Sequence, residues 1–230
     1  MRRTILLLSL ALVGGLALGT LLGSSLITAS HGLSSAANSQ PAMAAIQSAR
    51  DGTPPAATPL NQEDNAHLLE RAESVLACLK EDDYAGLSAL VHPQKGVTLT
   101  PFSTVSTDYD RTLSNDEVAA LSADKEIYVW GVMDGSGAPI RSTSSDYFDR
   151  YVYNADYTEA PEVGVDTVLM SGNALENVAV AYPLARFVDF CYPSIDPAKN
   201  GYDWCSLKLV FEPWQNDWFL VGMVHSEWTT

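Results

Sequence analysis

The sequence predicts an α+β domain: a long N-terminal helix packed on a strongly curved antiparallel sheet, with short helical inserts. Three observations carry this. Apolar residues recur at helical spacing over residues 63–80. β-branched and aromatic runs at 184–192, 205–211 and 218–225, each bounded by turn residues, read as strands. The turns between neighbouring strands are shorter than the dozen or so residues a parallel crossover needs, so the strands pair antiparallel.

The helix over 63–80 carries Leu68, Leu69, Ala72, Val75, Leu76 and Leu79 on one stripe. Asp83 is placed to cap a second helix over 84–91, which His92-Pro93 stops. KGVTLTPFSTVSTD alternates weakly and predicts one or two short strands. Ser114-Asn115-Asp116-Glu117 is a capping box opening a short helix. EIYVWGV (126–132) predicts a strand, Asp134-Gly135-Ser136-Gly137 a turn, and 145–152 a helix burying Tyr147, Phe148 and Tyr151. Residues 163–170 predict a strand, and 173–181 fit no single pattern. In the last strand Trp218, Leu220, Gly222 and Val224 face one way, and Phe219, Val221, Met223 and His225 the other. Both faces are apolar, so an insert or a partner subunit must cover the side that the helices leave open.

The chain ahead of this domain is of two kinds. Residues 1–29 open with Arg2 and Arg3 and run uncharged and apolar over 5–27. That is a positive n-region and an apolar span, long enough at about 20 residues to cross a bilayer. A cleaved signal peptide and an uncleaved N-terminal membrane anchor both fit, and Ala42-Met43-Ala44 offers a small-residue cleavage site. Either way the body is exported: extracytoplasmic, secreted or anchored, with membrane contact only through 5–27 if uncleaved. Residues 30–61 are rich in Ala, Ser and Pro, too poor in large apolar groups to offset the entropy of ordering them, and read as a flexible linker. Residues 62–230 remain as a single domain.

Of the chain's charged residues, only Arg2, Arg3, Arg50 and Asp51 precede residue 62. The domain keeps 10 basic and 27 acidic residues, a net charge of −17. Such a surface excludes nucleic acid, whose phosphates need a basic footprint, and disfavours anionic lipid. The three cysteines are Cys78, Cys191 and Cys205. Cys191 and Cys205 stand at the loop-proximal ends of adjacent predicted strands. If those strands pair with the two opposite each other, a disulfide closes a loop of about 15 residues, worth roughly 3 kcal/mol. Unpaired thiols are the alternative, and Cys78 is expected to be a partly buried free thiol.

The candidate chemistry is sparse. His225, close to Glu227 and Trp228, is the sharpest catalytic candidate, with Asp203 or Asp189 as the carboxylate to orient it for proton transfer. A hydrogen-bonded structural histidine is the competing reading. His92 is placed to cap the carbonyls of the helix it ends. Trp204, expected near a surface, and Trp228 are candidates for stacking on a ligand. The histidines lack metal-ligand spacing, the 134–137 turn lacks the alternating acids of a calcium loop, and no cofactor-binding motif is present.

DDYAGLSALVHPQKGVTLTPF, VWGVMDGSGAPI and SLKLVFEPWQNDWFLVGMVHSEWT together resemble the nuclear-transport-factor-two-like (cystatin-like) superfamily, among exported bacterial proteins. The resemblance implies a cone-like fold with a pocket between the long helix and the bent sheet. That superfold hosts dehydratases, isomerases and non-catalytic binding domains, so the fold alone leaves function open. The expected role is a non-catalytic domain binding a small ligand or an envelope protein. The rival is a small cone-pocket enzyme of isomerase or dehydratase type using a His–carboxylate pair. A homodimer through the sheet face is a third reading.

Overall fold

A computed structural model describes residues 59–229; the segment expected as a signal or anchor, 1–29, and the expected linker as far as residue 58 lie outside the described residues, while 59–61, read as linker, belong to the first helix. Three of the helices start at a side-chain cap that the sequence offers. Helix α1 (Pro59–Lys80) is followed by α2 (Tyr84–Leu90), whose N-cap Asp83 accepts from the Gly86 N–H. Ser114 and Glu117 form the reciprocal capping box of α3 (Asn115–Ala120), and Thr143 caps α4 (Ser144–Tyr151). No helix among the described residues is long and apolar enough to cross a membrane.

The strands are β1 (Val97–Thr100), β2 (Arg111–Leu113), β3 (Tyr128–Val132), β4 (Pro139–Ser142), β5 (Glu162–Val165), β6 (Arg186–Tyr192), β7 (Cys205–Trp214) and β8 (Asp217–Glu227). Six of them form one sheet in the order β2-β1-β8-β7-β6-β5, while β3 and β4 form a separate hairpin around the 134–137 turn. Gln215 and Asn216, both at positive φ, make the two-residue turn that joins β7 to β8. A bulge between Val210 and Phe211 adds the local bend expected of such an irregularity.

One expectation is corrected. The sheet is mixed, because β1 runs parallel to β8 with Thr98 opposite Gly222 and Thr100 opposite Val224. Short turns constrain only consecutive strands. β1 and β8 lie more than a hundred residues apart, so connection length says nothing about their relative direction.

Helix α1 lies on one face of the sheet, where Leu68, Ala72, Val75, Leu76 and Leu79 meet Val188, Phe190, Leu207, Leu209, Phe211 and Met223 in the main core. The opposite face carries Phe187, Val210, Val221 and Val224. It is covered by residues 166–185, a strap containing the short helix α5 (Val178–Ala181). Val168, Val178, Tyr182 and Ala185 of the strap pack on those four residues. Gly222 is required there, since a Cβ at that position would stand 2.7 Å from the Tyr182 hydroxyl. The second apolar face of β8 is thus covered by the chain's own insert.

Candidate functional site

Strand β5 ends the sheet on this side, and a groove lies between it and α1. Leu69, Glu73 and Leu76 of α1 form one wall. Val163 and Val165 of β5 with Phe190 of β6 form the floor, and Tyr157, Thr158 and Ala160 close one end. The groove holds about 540 Å³, within the range typical of ligand clefts. Its lining is apolar apart from Glu73 and Thr158. The nearby cation, Lys80, is tied to Asp156 at 2.8 Å and to the Thr158 hydroxyl at 3.0 Å.

The predicted catalytic pair is not assembled. His225 is fully buried on the α1 face of β8, and its Nδ1 donates to the Pro101 carbonyl at 3.0 Å. Its Nε2 finds no hydrogen-bond partner among the described residues. Burial drives the ring's pKa down to about 4, with Glu227 and the Pro101 bond pulling weakly the other way. The neighbouring carboxylate Glu227 is taken by Arg150, at 2.6 and 3.1 Å. Asp203 instead accepts from the Asp196 N–H and the Ser194 hydroxyl in the 194–203 loop. Asp189 lies on the other face of the sheet and accepts from the Leu169 N–H at 2.9 Å.

The aromatic candidates divide. Trp204, expected near the surface, is buried, with Gly172 of the strap laid so close that a Cβ there would stand 3.2 Å from the indole. Trp228 is 42% exposed and meets the exposed Tyr202 edge to face, an arrangement that leaves no slot between the rings. His92 does not cap α2. It is buried against Trp214, and its Nδ1 accepts from the Gln94 and Lys95 N–H groups at 3.2 Å.

The Cys191–Cys205 disulfide is also corrected. The two strands do pair, but Cys205 stands opposite Tyr192 and Cys191 opposite Ser206. A one-residue offset puts the two side chains on opposite faces of the sheet. All three cysteines are free, and burial pushes the Cys191 thiol up to about 12. A thiol count on the unfolded chain, without reductant, is expected to give three; a count of one would restore the disulfide.

A polar layer between the strap and the sheet went unforeseen. Lys208 of β7 is fully buried, donates to the Ser226 hydroxyl at 2.7 Å, and faces Glu176 of the strap at 2.9 Å. The Ser103 hydroxyl donates to Ser226 at 3.0 Å. Asp189 lies in the same layer, its carboxyl raised by burial and pulled back down by Lys208. Asn177 adds a two-way amide bond to the Val105 backbone, at 2.8 and 3.0 Å. Further clefts open on other sides. The one of about 330 Å³ is lined by Phe102, Tyr109, Asp110 and Met133, and burial raises the Asp110 carboxyl. Among the described residues no cluster of His, Cys, Asp or Glu is placed to hold a metal.

No family model matches the chain, and no curated protein matches it. Solved structures do. One is an NTF-2-like protein of unknown function from Shewanella oneidensis MR-1, at 8% identity over 71% of this chain and 99% of that one, TM-score 0.31. Another is a domain of unknown function with a cystatin-like fold from Nostoc punctiforme, at 10% identity over 75% of this chain and 81% of that one, TM-score 0.34.

Proposed function

We propose that this domain is a non-catalytic binding module of the cell envelope, with its ligand seated in the groove between α1 and β5. One observation carries the reading: the largest of the described clefts is apolar and lacks a titratable pair, while the histidine best suited to proton transfer is sealed in the core and bonded to backbone. The exported location follows from the apolar run over 5–27 and the linker after it.

Residues 56–230 form one compact unit holding every contact described above, so a chain of that span carries the whole described fold. It is expected to bind the neutral apolar dye Nile red. Ala160→Trp, which fills the groove from its half-buried end wall, is expected to weaken dye binding by about tenfold or more while leaving the melting transition in place. Equal dye affinity in the two proteins would move the ligand elsewhere.

The rival enzyme reading has one observation in its favour. Asp110 presents a carboxyl with raised pKa to a cleft, its Oδ2 held by the Thr100 hydroxyl at 2.7 Å and the Ser106 N–H at 2.9 Å. If the domain moves protons, the base is Asp110 rather than His225. Loss of any isomerising or dehydrating activity in Asp110→Asn, with His225→Asn active, would be its mark.

A further inference from the structure

Strand β5 is an outer edge of the six-stranded sheet, paired only with β6. Its register decides which backbone groups face outward. The Asp166 N–H donates to the Phe187 carbonyl at 2.8 Å, and in an antiparallel ladder the bonded residues alternate. Glu162 and Gly164 therefore direct their N–H and C=O groups at β6, while Val163 and Val165 turn theirs away from it. The Val165 carbonyl is taken by the Thr167 hydroxyl at 3.0 Å. Val163 is 47% exposed. Its side chain, with those of Val165 and Phe190, floors the groove under α1. An outward backbone edge thus runs beside an apolar trench at strand spacing.

The rim charges say what fits. Glu73 lines the groove and Glu159 stands exposed beside it, while the exposed Glu162 lies on the other face of the β5 edge, within reach of the flanks of an added strand. Lys80 is already committed to Asp156 and Thr158. The open rim is acidic, within a domain of net charge −17.

Resting on the groove as the binding site, we infer that its occupant is an extended peptide segment that adds a strand to the β5 edge. Its alternate side chains are apolar and enter the groove, and Lys or Arg on its flanks meets Glu73, Glu159 and Glu162. Main-chain bonds to Val163 supply affinity, while the trench and the acidic rim supply selectivity. Of the usual guards against strand addition, β5 has neither lysine nor an internal proline.

The test uses residues 56–230 with the peptide Lys-Val-Thr-Val-Thr-Val-Lys and its central-proline analogue, which cannot ladder. Amide exchange at Val163 and displacement of Nile red are read together. The first peptide is expected to slow exchange at Val163 by about tenfold and to displace the dye, and the proline analogue to do neither. Val163→Pro removes the outward N–H at a position that β6 does not bond; it is expected to lose the peptide and keep the dye. Glu73→Lys with Glu162→Lys is expected to weaken the basic peptide by about tenfold. A protein that binds dye but shows unchanged Val163 exchange at millimolar peptide overturns strand addition and leaves a small apolar ligand. A protein that binds neither overturns the groove as a site altogether.

Discussion

Lys208→Met is expected to lower the stability of the domain by about 3–5 kcal/mol, measured by denaturant unfolding at pH 7. Lys208 is fully buried between strap and sheet, 2.9 Å from Glu176 and 2.7 Å from the Ser226 hydroxyl, with Asp189 in the same layer. Methionine fills much of the same space and removes the charge. Two carboxylates, Asp189 fully buried and Glu176 largely so, are then left without their cation, and that desolvation carries the cost rather than the lost packing. Two corollaries separate this from a simple packing defect. The deficit should shrink on acidification, because Asp189, whose carboxyl burial already raises, can take up a proton and become neutral. Adding Glu176→Gln to Lys208→Met should recover part of the loss, a coupling that a double-mutant cycle reads directly. An effect below about 1 kcal/mol would mean that the strap opens to water at this layer.

The second large effect is a loss of stability as pH falls through the histidine range. His225 titrates near 6.5 when unfolded and near 4 in the folded domain. Its neutral ring is the form that the fold accepts. The sign follows: the contribution is fully present above pH 6.5, and is lost as the unfolded chain gains a proton that the folded one refuses. Across that window the loss amounts to about 3 kcal/mol. The surroundings of the ring, with Lys208 acting from across the sheet, set its size. Burial dominates, Glu227 and the Pro101 carbonyl oppose it, and Arg150 and Lys208 reinforce it, with the Tyr151 ring packed edge-on at 6.0 Å. The Asp110 and Asp189 carboxyls, raised by burial, add a pH dependence of their own, so the difference between proteins is the informative quantity. His225→Asn keeps an N–H donor toward Pro101, drops the unpartnered Nε2 and removes the titration. Its stability between pH 4 and 6.5 should fall less steeply than that of the parent, and parallel curves would place His225 in contact with water.

Local rules made much of this fold legible in the sequence. The stripe from Leu68 to Leu79, the caps at Asp83 and Ser114, the 134–137 turn and the three C-terminal strands each rest on neighbours within a few residues, and each is present. What failed was non-local. Cys191 and Cys205 are symmetric about their loop, yet a single step in register separates them across the sheet. Strand β2 is only three residues long and exists because β1 offers it an edge. The 173–181 stretch had no clear period because its residues serve two masters: Glu176 and Val178 face inward, whereas Leu175 and Val180 stay exposed. The groove was least visible. It lies between the sheet's edge strand and a long helix, and no residue within it announces it. His225 drew attention by its chemistry, and burial had already disposed of it.

The parallel contact between β1 and β8 reaches beyond the finished architecture. β8 comes last in chain order among the described strands, yet it sits between β1 and β7. A growing chain delivered only as far as residue 216 therefore holds β2-β1 and β7-β6-β5 as two separate fragments, each with a raw edge facing the place where β8 belongs. Neither can close on the other, because their shared partner has yet to arrive. The last eleven-residue strand acts as a keystone. Assembly is deferred until it emerges, and a chain cut short before it presents two sticky borders to its neighbours instead of a weakened version of the same domain.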